Sequence, residues 1–186
     1  MPTDPVTWTS EQFSQQYIAD YKPYNFVDGE GVRCSLYVSG CPFACKGCYN
    51  KVAQNFSYGS PYSCELEEQI IDDLRADYCQ GLTLLGGEPF LNTAVTIKLC
   101  KRVREEFDWQ KDIWSWTGYT WEELMRGTTD KIELLQYLDV LVDGRFEFDK
   151  KDLNLAFRGS SNQRIIDVQE SLKTNKVSLW KNGQYL

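Results

Sequence analysis

The 186-residue sequence contains no histidine. A His-ligated zinc site, a Ser-His or Cys-His dyad and an imidazole general base are all excluded by that one absence. No apolar run approaches the ~20 residues that span a bilayer. The opening MPTDPVTWTSEQF lacks the basic-then-apolar layout of a secretory signal. Internal repeats, low-complexity tracts and Pro/Ser-rich linkers are missing as well. These absences point to one domain over residues 1–186, in the cytoplasm. Positive charge is in the minority, with 20 Lys and Arg against 27 Asp and Glu for a net charge of −7. That balance argues against general nucleic-acid binding, because phosphate contacts need a concentrated basic face. The two basic clusters, Lys98 to Arg104 and Lys150 to Lys151, are interleaved with apolar or acidic residues and read as solvated helix faces.

What the sequence does hold is sulfur. Seven cysteines, an odd number in a chain with no sign of secretion, favour metal or redox chemistry over a disulfide framework. Three of them, Cys41, Cys45 and Cys48, stand at C-x3-C-x2-C spacing within VSGCPFACKGCYN. That is one thiolate short of a closed metal site. Spacing alone leaves structural zinc and an iron–sulfur cluster both open, with Cys34 or a distant cysteine as a possible fourth zinc ligand. Two features favour the cluster. Structural zinc sites usually pair two ligands with two more across a gap, and no second C-x2-C follows. A cubane on three thiolates keeps one iron open to an external ligand, as catalytic zinc sites keep a fourth position.

The pattern around this loop is strand and helix in alternation. RCSLYVS alternates Cys34, Leu36 and Val38 against Arg33, Ser35 and Tyr37, predicting a half-buried strand. Ser63 precedes a helix with Leu66, Ile70, Ile71 and Leu74 on one face. GLTLLGG reads as a short buried strand, and Asn92 or Thr93 opens a helix carrying Val95, Leu99, Val103 and Phe107. DIWSWT is a third strand, Thr120 and Glu123 form a capping-box pair ahead of Gly127, IELLQYL is helical, and DVLVDG is a fourth strand. Such alternation predicts a parallel sheet with helical crossovers. A complete eight-unit barrel needs ~250 residues, so an incomplete, laterally open, TIM-like barrel is expected. The VDGRF turn could instead close a hairpin, but the preceding periodicity favours the parallel reading. Past Lys150 the pattern resolves little.

At the end of the second of these strands stands LLGGEPF. Gly86 and Gly87 remove two side chains where a ligand could approach the backbone, and Glu88 adds a carboxylate suited to an amino group. A lone Gly-Gly-Glu is more often a turn; it gains weight downstream of the three-cysteine loop and after a strand. Cys34 and Cys100 share apolar stripes and read as core. Cys64 and Cys79 flank a helix with no assigned role, a redox contact being the one functional alternative. Trp114 and Trp116 read as core or barrel wall. Thr117 and Gly118 end a strand on the active face, within reach of a cofactor, and turn formation explains Asp143 and Asn162.

Together these residues resemble the radical S-adenosylmethionine enzymes. VDGEGVRCSLYVSGC narrows the likeness to activating proteins of glycyl-radical enzymes. GCYN (Gly47–Asn50), WSWTGY (Trp114–Tyr119), LVDGRF (Leu141–Phe146) and RGSSNQ (Arg158–Gln163) narrow it to the anaerobic ribonucleoside-triphosphate reductase activators. The likeness runs from about Tyr24 to Gln163, leaving residues 1–23 and 165–186 outside it. It implies a 4Fe–4S cluster on Cys41, Cys45 and Cys48, whose open iron chelates S-adenosylmethionine. It further implies that Gly86, Gly87 and Glu88 hold the methionine moiety, with Gly47, Cys48 and Tyr49 toward the nucleoside. Many superfamily members carry an aromatic residue where this chain has Gly47, which leaves Tyr49 as the candidate adenine contact. The implied reaction is reductive cleavage of S-adenosylmethionine, with hydrogen abstraction from a glycine of the reductase large subunit. The electron would come from a donor protein such as a flavodoxin. The alternatives are an activator of another glycyl-radical enzyme, such as pyruvate formate-lyase, and a non-catalytic zinc-binding adaptor.

Overall fold

In the computed structural model, which describes residues 4–181, eight strands form one open mixed sheet in the order β3-β1-β2-β4-β5-β6-β7-β8. Its centre is the expected parallel set: β2 (Val32–Val38), β4 (Cys79–Gly86), β5 (Asp112–Trp116) and β6 (Val140–Asp143). The crossovers carry α2 (Cys64–Leu74), α3 (Thr93–Phe107), then α4 (Trp121–Leu124) with α5 (Thr129–Tyr137). Two helix starts are capped as their sequences predict, while Asn92 begins α3 without a side-chain cap. Ser63 accepts from the Leu66 N–H, and Thr120 and Glu123 complete a capping box.

The flanks are antiparallel and were not foreseen. β1 (Tyr17–Asn25) pairs with β2, and the two-residue β3 (Ser60–Pro61) pairs with the start of β1. On the other side β7 (Arg164–Asp167) runs antiparallel to β6, and β8 (Ser178–Leu179) to β7. The Asp143-Gly144 turn therefore does not close a hairpin; about twenty residues separate β6 from its antiparallel neighbour. Segments outside the family likeness thus belong to the sheet, while residues 182–186 of the tail lie outside the described residues. The short α1 (Ser10–Phe13) precedes β1, and α6 (Val168–Thr174) follows β7.

One face of the sheet is covered by helices. Cys34, Leu36, Val38, Leu82, Leu84, Ile113, Leu141 and Ile166 meet Ile70, Ile71, Leu74, Val95, Leu99, Val103, Leu134 and Leu135 in the main core. The opposite face has its own cluster of Trp114, Val140, Val142 and Ile165, joined by Trp116, Phe157 and Trp180. That second cover corrects the half-buried reading of β2. Arg33 and Ser35 are fully buried, because the loop between β1 and β2 folds back beside that cluster: Arg33 Nη1 donates to the Glu30 carbonyl, Thr83 Oγ1 to the Asp28 carbonyl, and Asn25 Nδ2 reaches Ser35 Oγ. Arg33 is satisfied there by Asp112 at 2.5 Å, Thr83 Oγ1 at 2.7 Å and the Leu82 carbonyl at 2.8 Å. The basic cluster on α3 is only partly solvated. Lys98 and Lys101 reach Glu67 and Glu133 at the surface, whereas Arg104 turns inward to Asp139 and the Tyr137 carbonyl. Among the described residues, no helix is long and apolar enough to cross a membrane.

Candidate functional site

The C-terminal ends of the four parallel strands open into one cavity of about 550 Å³, within the ~300–1,000 Å³ typical of small-molecule sites. β2 delivers the cysteine loop, β4 delivers Gly86-Gly87-Glu88, β5 delivers Thr117-Gly118, and β6 delivers Gly144. Sheet ends of this kind are where α/β folds place their ligands. Cys41, Cys45 and Cys48 all line the cavity, each partly exposed. So do Gly47, Tyr49, Gly86, Gly87 and Glu88, so the fold brings every sequence-predicted site residue together.

The loop is held from below by backbone. Gly40 N–H donates to the Ala53 carbonyl at 2.7 Å and Cys41 N–H to Gln54 at 3.1 Å; within the loop, Cys48 N–H reaches the Cys45 carbonyl at 3.1 Å. Gly87 N–H donates to Val38, and Glu88 N–H to Gly40, at 2.7 and 2.8 Å. This contact explains the second glycine of the pair: a Cβ on Gly87 would stand 2.5 Å from the Gly40 carbonyl oxygen. The glycines were read as room for a ligand. In part, that room is taken by the root of the cysteine loop, so the two motifs fix one another. Phe43, between the first two cysteines, plugs the loop into the core against Tyr119 and Trp8, with Arg145 over its ring at 4.6 Å.

Glu88 is completely buried. Its carboxylate accepts from Phe90 N–H at 3.0 Å, Thr117 Oγ1 at 2.8 Å and Gly118 N–H at 2.8 Å. Burial pushes its pKa up to about 7, against the pull of those three donors toward the charged form. Burial also raises the Cys41 thiol, with Glu88's charge adding to it, and raises Cys45. Thiols held protonated in this way must release protons to any metal they bind. Tyr49, by contrast, exposes 99% of its surface at the rim.

Sequence reasoning missed three contributors. Asn92, foreseen only as a helix start, donates to the carbonyls of Ser39 and Glu88, both at 3.0 Å, and so staples the two motifs. Lys151 and Arg158 line the far wall. Arg158 Nη1 donates to the Gln163 carbonyl, its buried Nε has no partner, and neither residue has an acidic partner among the described residues. RGSSNQ was the available signal for Arg158, since Gln163 there anchors the turn through Gly159 and Ser160 N–H and the Gly144 carbonyl.

The donor set suits iron–sulfur chemistry. It offers three soft thiols, and the two carboxylates on the cavity are already engaged, Glu88 with three donors and Asp152 with Asn154. Among the described residues, no three His, Cys, Asp or Glu side chains converge closely enough to hold a single metal ion. A cubane, broader than one ion, asks its ligands for a wider triangle. Residues 27–166 match the family model described as a 4Fe-4S single cluster domain. The chain is 49% identical over 149 residues to an anaerobic ribonucleoside-triphosphate reductase-activating protein of Pasteurella multocida, covering 78% of this chain and 93% of that protein. Proteins of the same name from Escherichia coli K12 and Enterobacteria phage T4 are 44% and 36% identical, over 78% and 86% of this chain and 94% and 95% of their own lengths. The chain belongs to the anaerobic ribonucleoside-triphosphate reductase-activating proteins. In this family setting, the three cysteines that bound the cavity are the residues available to a 4Fe–4S cluster.

Proposed function

We propose that the protein activates anaerobic ribonucleoside-triphosphate reductase by reductive cleavage of S-adenosylmethionine at a 4Fe–4S cluster, leaving a glycyl radical on the large subunit. The observation that carries this reading is the gathering of Cys41, Cys45 and Cys48 on one cavity at the parallel strand ends, in a chain of this family. The bound cluster, reduced by a donor protein such as a flavodoxin, would supply the electron that splits the C5′–S bond and so starts hydrogen abstraction from glycine.

The chain's own residues do the positioning. A carboxylate offers roughly four acceptor sites, and three donors leave Glu88 one with which to meet the amino group of the methionine moiety. Gly86 and Gly87 let the backbone close against Tyr37, Val38 and Gly40, which fixes the point from which Glu88 would make that contact. Lys151 and Arg158 on the opposite wall, cations with no acidic partner among the described residues, suit the carboxylate of the same ligand. Leu85, Trp116 and Phe146 supply apolar wall that excludes water from the reacting centre. Tyr49, with Gly47 beside Cys48, is placed for the nucleoside end.

In this reading the open sheet is the incomplete, laterally open TIM-like barrel of the radical S-adenosylmethionine enzymes, carried by a single cytoplasmic domain whose open side admits a polypeptide loop. Anaerobic reconstitution tests it. A brown protein absorbing near ~400 nm, as thiolate-ligated iron does, should yield 5′-deoxyadenosine and methionine on reduction and radicalise the anaerobic reductase. Stoichiometric zinc without iron would end it, in favour of a metal-binding adaptor. Radical formation on pyruvate formate-lyase alone would reassign the target.

A further inference from the structure

A second pair of sulfurs lies outside the cavity. Cys34 on β2 and Cys79 at the start of β4 are both buried, with their Sγ atoms 3.7 Å apart. The two strands are direct neighbours in the sheet, and the register slips by one residue beside Val32 and Cys79, drawing Cys79 toward Cys34. Either sulfur can donate in this contact, and sharing one proton across it favours ionisation of one thiol while holding the other protonated, with Cys79 the one drawn down. Lys111 adds to this, its Nζ donating to the Cys79 carbonyl at 2.7 Å. One sulfur is therefore predisposed to thiolate and the other to thiol, the asymmetry that thiol–disulfide chemistry uses.

We propose that Cys34 and Cys79 form a dithiol–disulfide couple that closes when the protein meets a small peroxide. The Cys79 thiolate attacks the peroxide O–O bond, gaining one oxygen as a sulfenic acid and releasing hydroxide. The Cys34 sulfur then displaces that oxygen as water, and its proton leaves with it. Two thiols lose two electrons, hydrogen peroxide is reduced to two waters, and the sulfurs close from 3.7 Å to the ~2.05 Å of an S–S bond. The ring so formed runs from residue 34 to residue 79 and contains all three cavity cysteines. Oxidants that strip iron from the loop would at the same time tie the two strands that carry its ends, and a dithiol would reverse the tie. The pairing stands on the strand geometry alone; only its link to iron loss rests on the cluster reading.

The test uses the full chain, as the reconstituted protein and as Cys41→Ala/Cys45→Ala/Cys48→Ala, in which the other four cysteines are native. After brief exposure to hydrogen peroxide, unfolding and alkylation, mass spectrometry of unreduced peptides should find Cys34 joined to Cys79 as the dominant crosslink in both. In the triple variant, titratable thiols should fall from four to two and return with dithiothreitol. The midpoint of thermal unfolding should rise on oxidation and fall back on reduction. The inference is overturned if Cys34 and Cys79 stay alkylatable in both proteins, or if crosslinks form only among the cavity cysteines. Failure of the reconstituted protein to take up iron would count against the cluster and leave this result readable in the triple variant.

Discussion

The two faces of the sheet are made from the same strands and do opposite things. Toward the helices, β2, β4 and β5 present Cys34, Leu36, Val38, Leu82, Leu84 and Ile113, an apolar surface. Toward the other side they present Arg33, Ser35 and Thr83, buried as completely but held by an ion pair and hydrogen bonds, beside Trp114, whose ring lies under the Arg33 guanidinium. The first face gains its stability from area removed from water, which any shape-matched apolar set provides. The second depends on partners in fixed places, the condition a precise site above it requires. In the cavity this contrast is sharpest. The cysteines sit on an irregular loop, yet Gly87, Asn92 and Glu88 tie that loop to the regular strand ends.

The largest effect is expected where stability matters least. Cys45→Ala should abolish reductive cleavage of S-adenosylmethionine and iron retention, while the apoprotein's unfolding free energy from denaturant titration changes by no more than ~0.5 kcal/mol, as for surface substitutions in general. Undiminished 5′-deoxyadenosine production by this variant would remove Cys45 from the ligand set. Next comes the polar face. Arg33→Met strands Asp112 without its cation at 0% and 4% side-chain exposure, and loss of one partner of a buried pair costs ~3–5 kcal/mol. Equilibrium denaturation measures it, and a cost below that of a surface substitution would mean this face is not held by its ion pair. On the helix face, Leu84→Ala deletes a fully buried side chain and should cost ~2–5 kcal/mol through lost transfer energy and the cavity left behind. Unlike Arg33→Met, it should be largely rescued by a volume-conserving Leu84→Met. Equal rescue at both positions would erase the distinction between the faces.

The legibility of the molecule follows the same division. Elements facing the helices announce themselves, because a single buried face writes its period into the sequence: 2 in RCSLYVS, and the helical stripe in α2 and α3. β1 does not. Its sequence YIADYKPYN lies near the sheet edge, mostly half-buried with Ile18 alone buried and with Pro23 inside it, so no strict alternation had to be kept. β7 and β8 are four and two residues long, too short to carry a period. The burial of Arg33 and Ser35 was invisible for another reason, since their cover is an irregular loop, Asn25 to Glu30, that folds back over the strand with no period of its own. The site was legible where chemistry restricts residue type, at the cysteines and at Gly-Gly-Glu. It was illegible where the role is a hydrogen bond that many polar residues could make, as at Asn92. The Cys34–Cys79 proximity depends on a register slip that neither strand betrays alone.

The smallest expected effect on stability tests how far the site reaches beyond its rigid part. Tyr49 is the one sequence-predicted site residue that is almost wholly exposed, at 99%. It lines both the cavity and the adjoining groove formed by Tyr24 to Asp28 and Tyr37. Removing its ring costs the folded protein no buried area, so Tyr49→Ala should leave the unfolding free energy within ~0.5 kcal/mol of the parent. An aromatic ring that closes over a nucleoside contributes stacking of ~1–3 kcal/mol per base. Calorimetric titration of the reconstituted protein with S-adenosylmethionine should therefore show binding weakened about tenfold, since each ~1.4 kcal/mol is a factor of ten. Tyr49→Phe, which keeps the ring, should bind as the parent does. If Tyr49→Ala binds the cofactor unchanged, the nucleoside contact belongs to the cavity wall and not to the rim, and the exposed ring is left facing the groove and whatever polypeptide enters there.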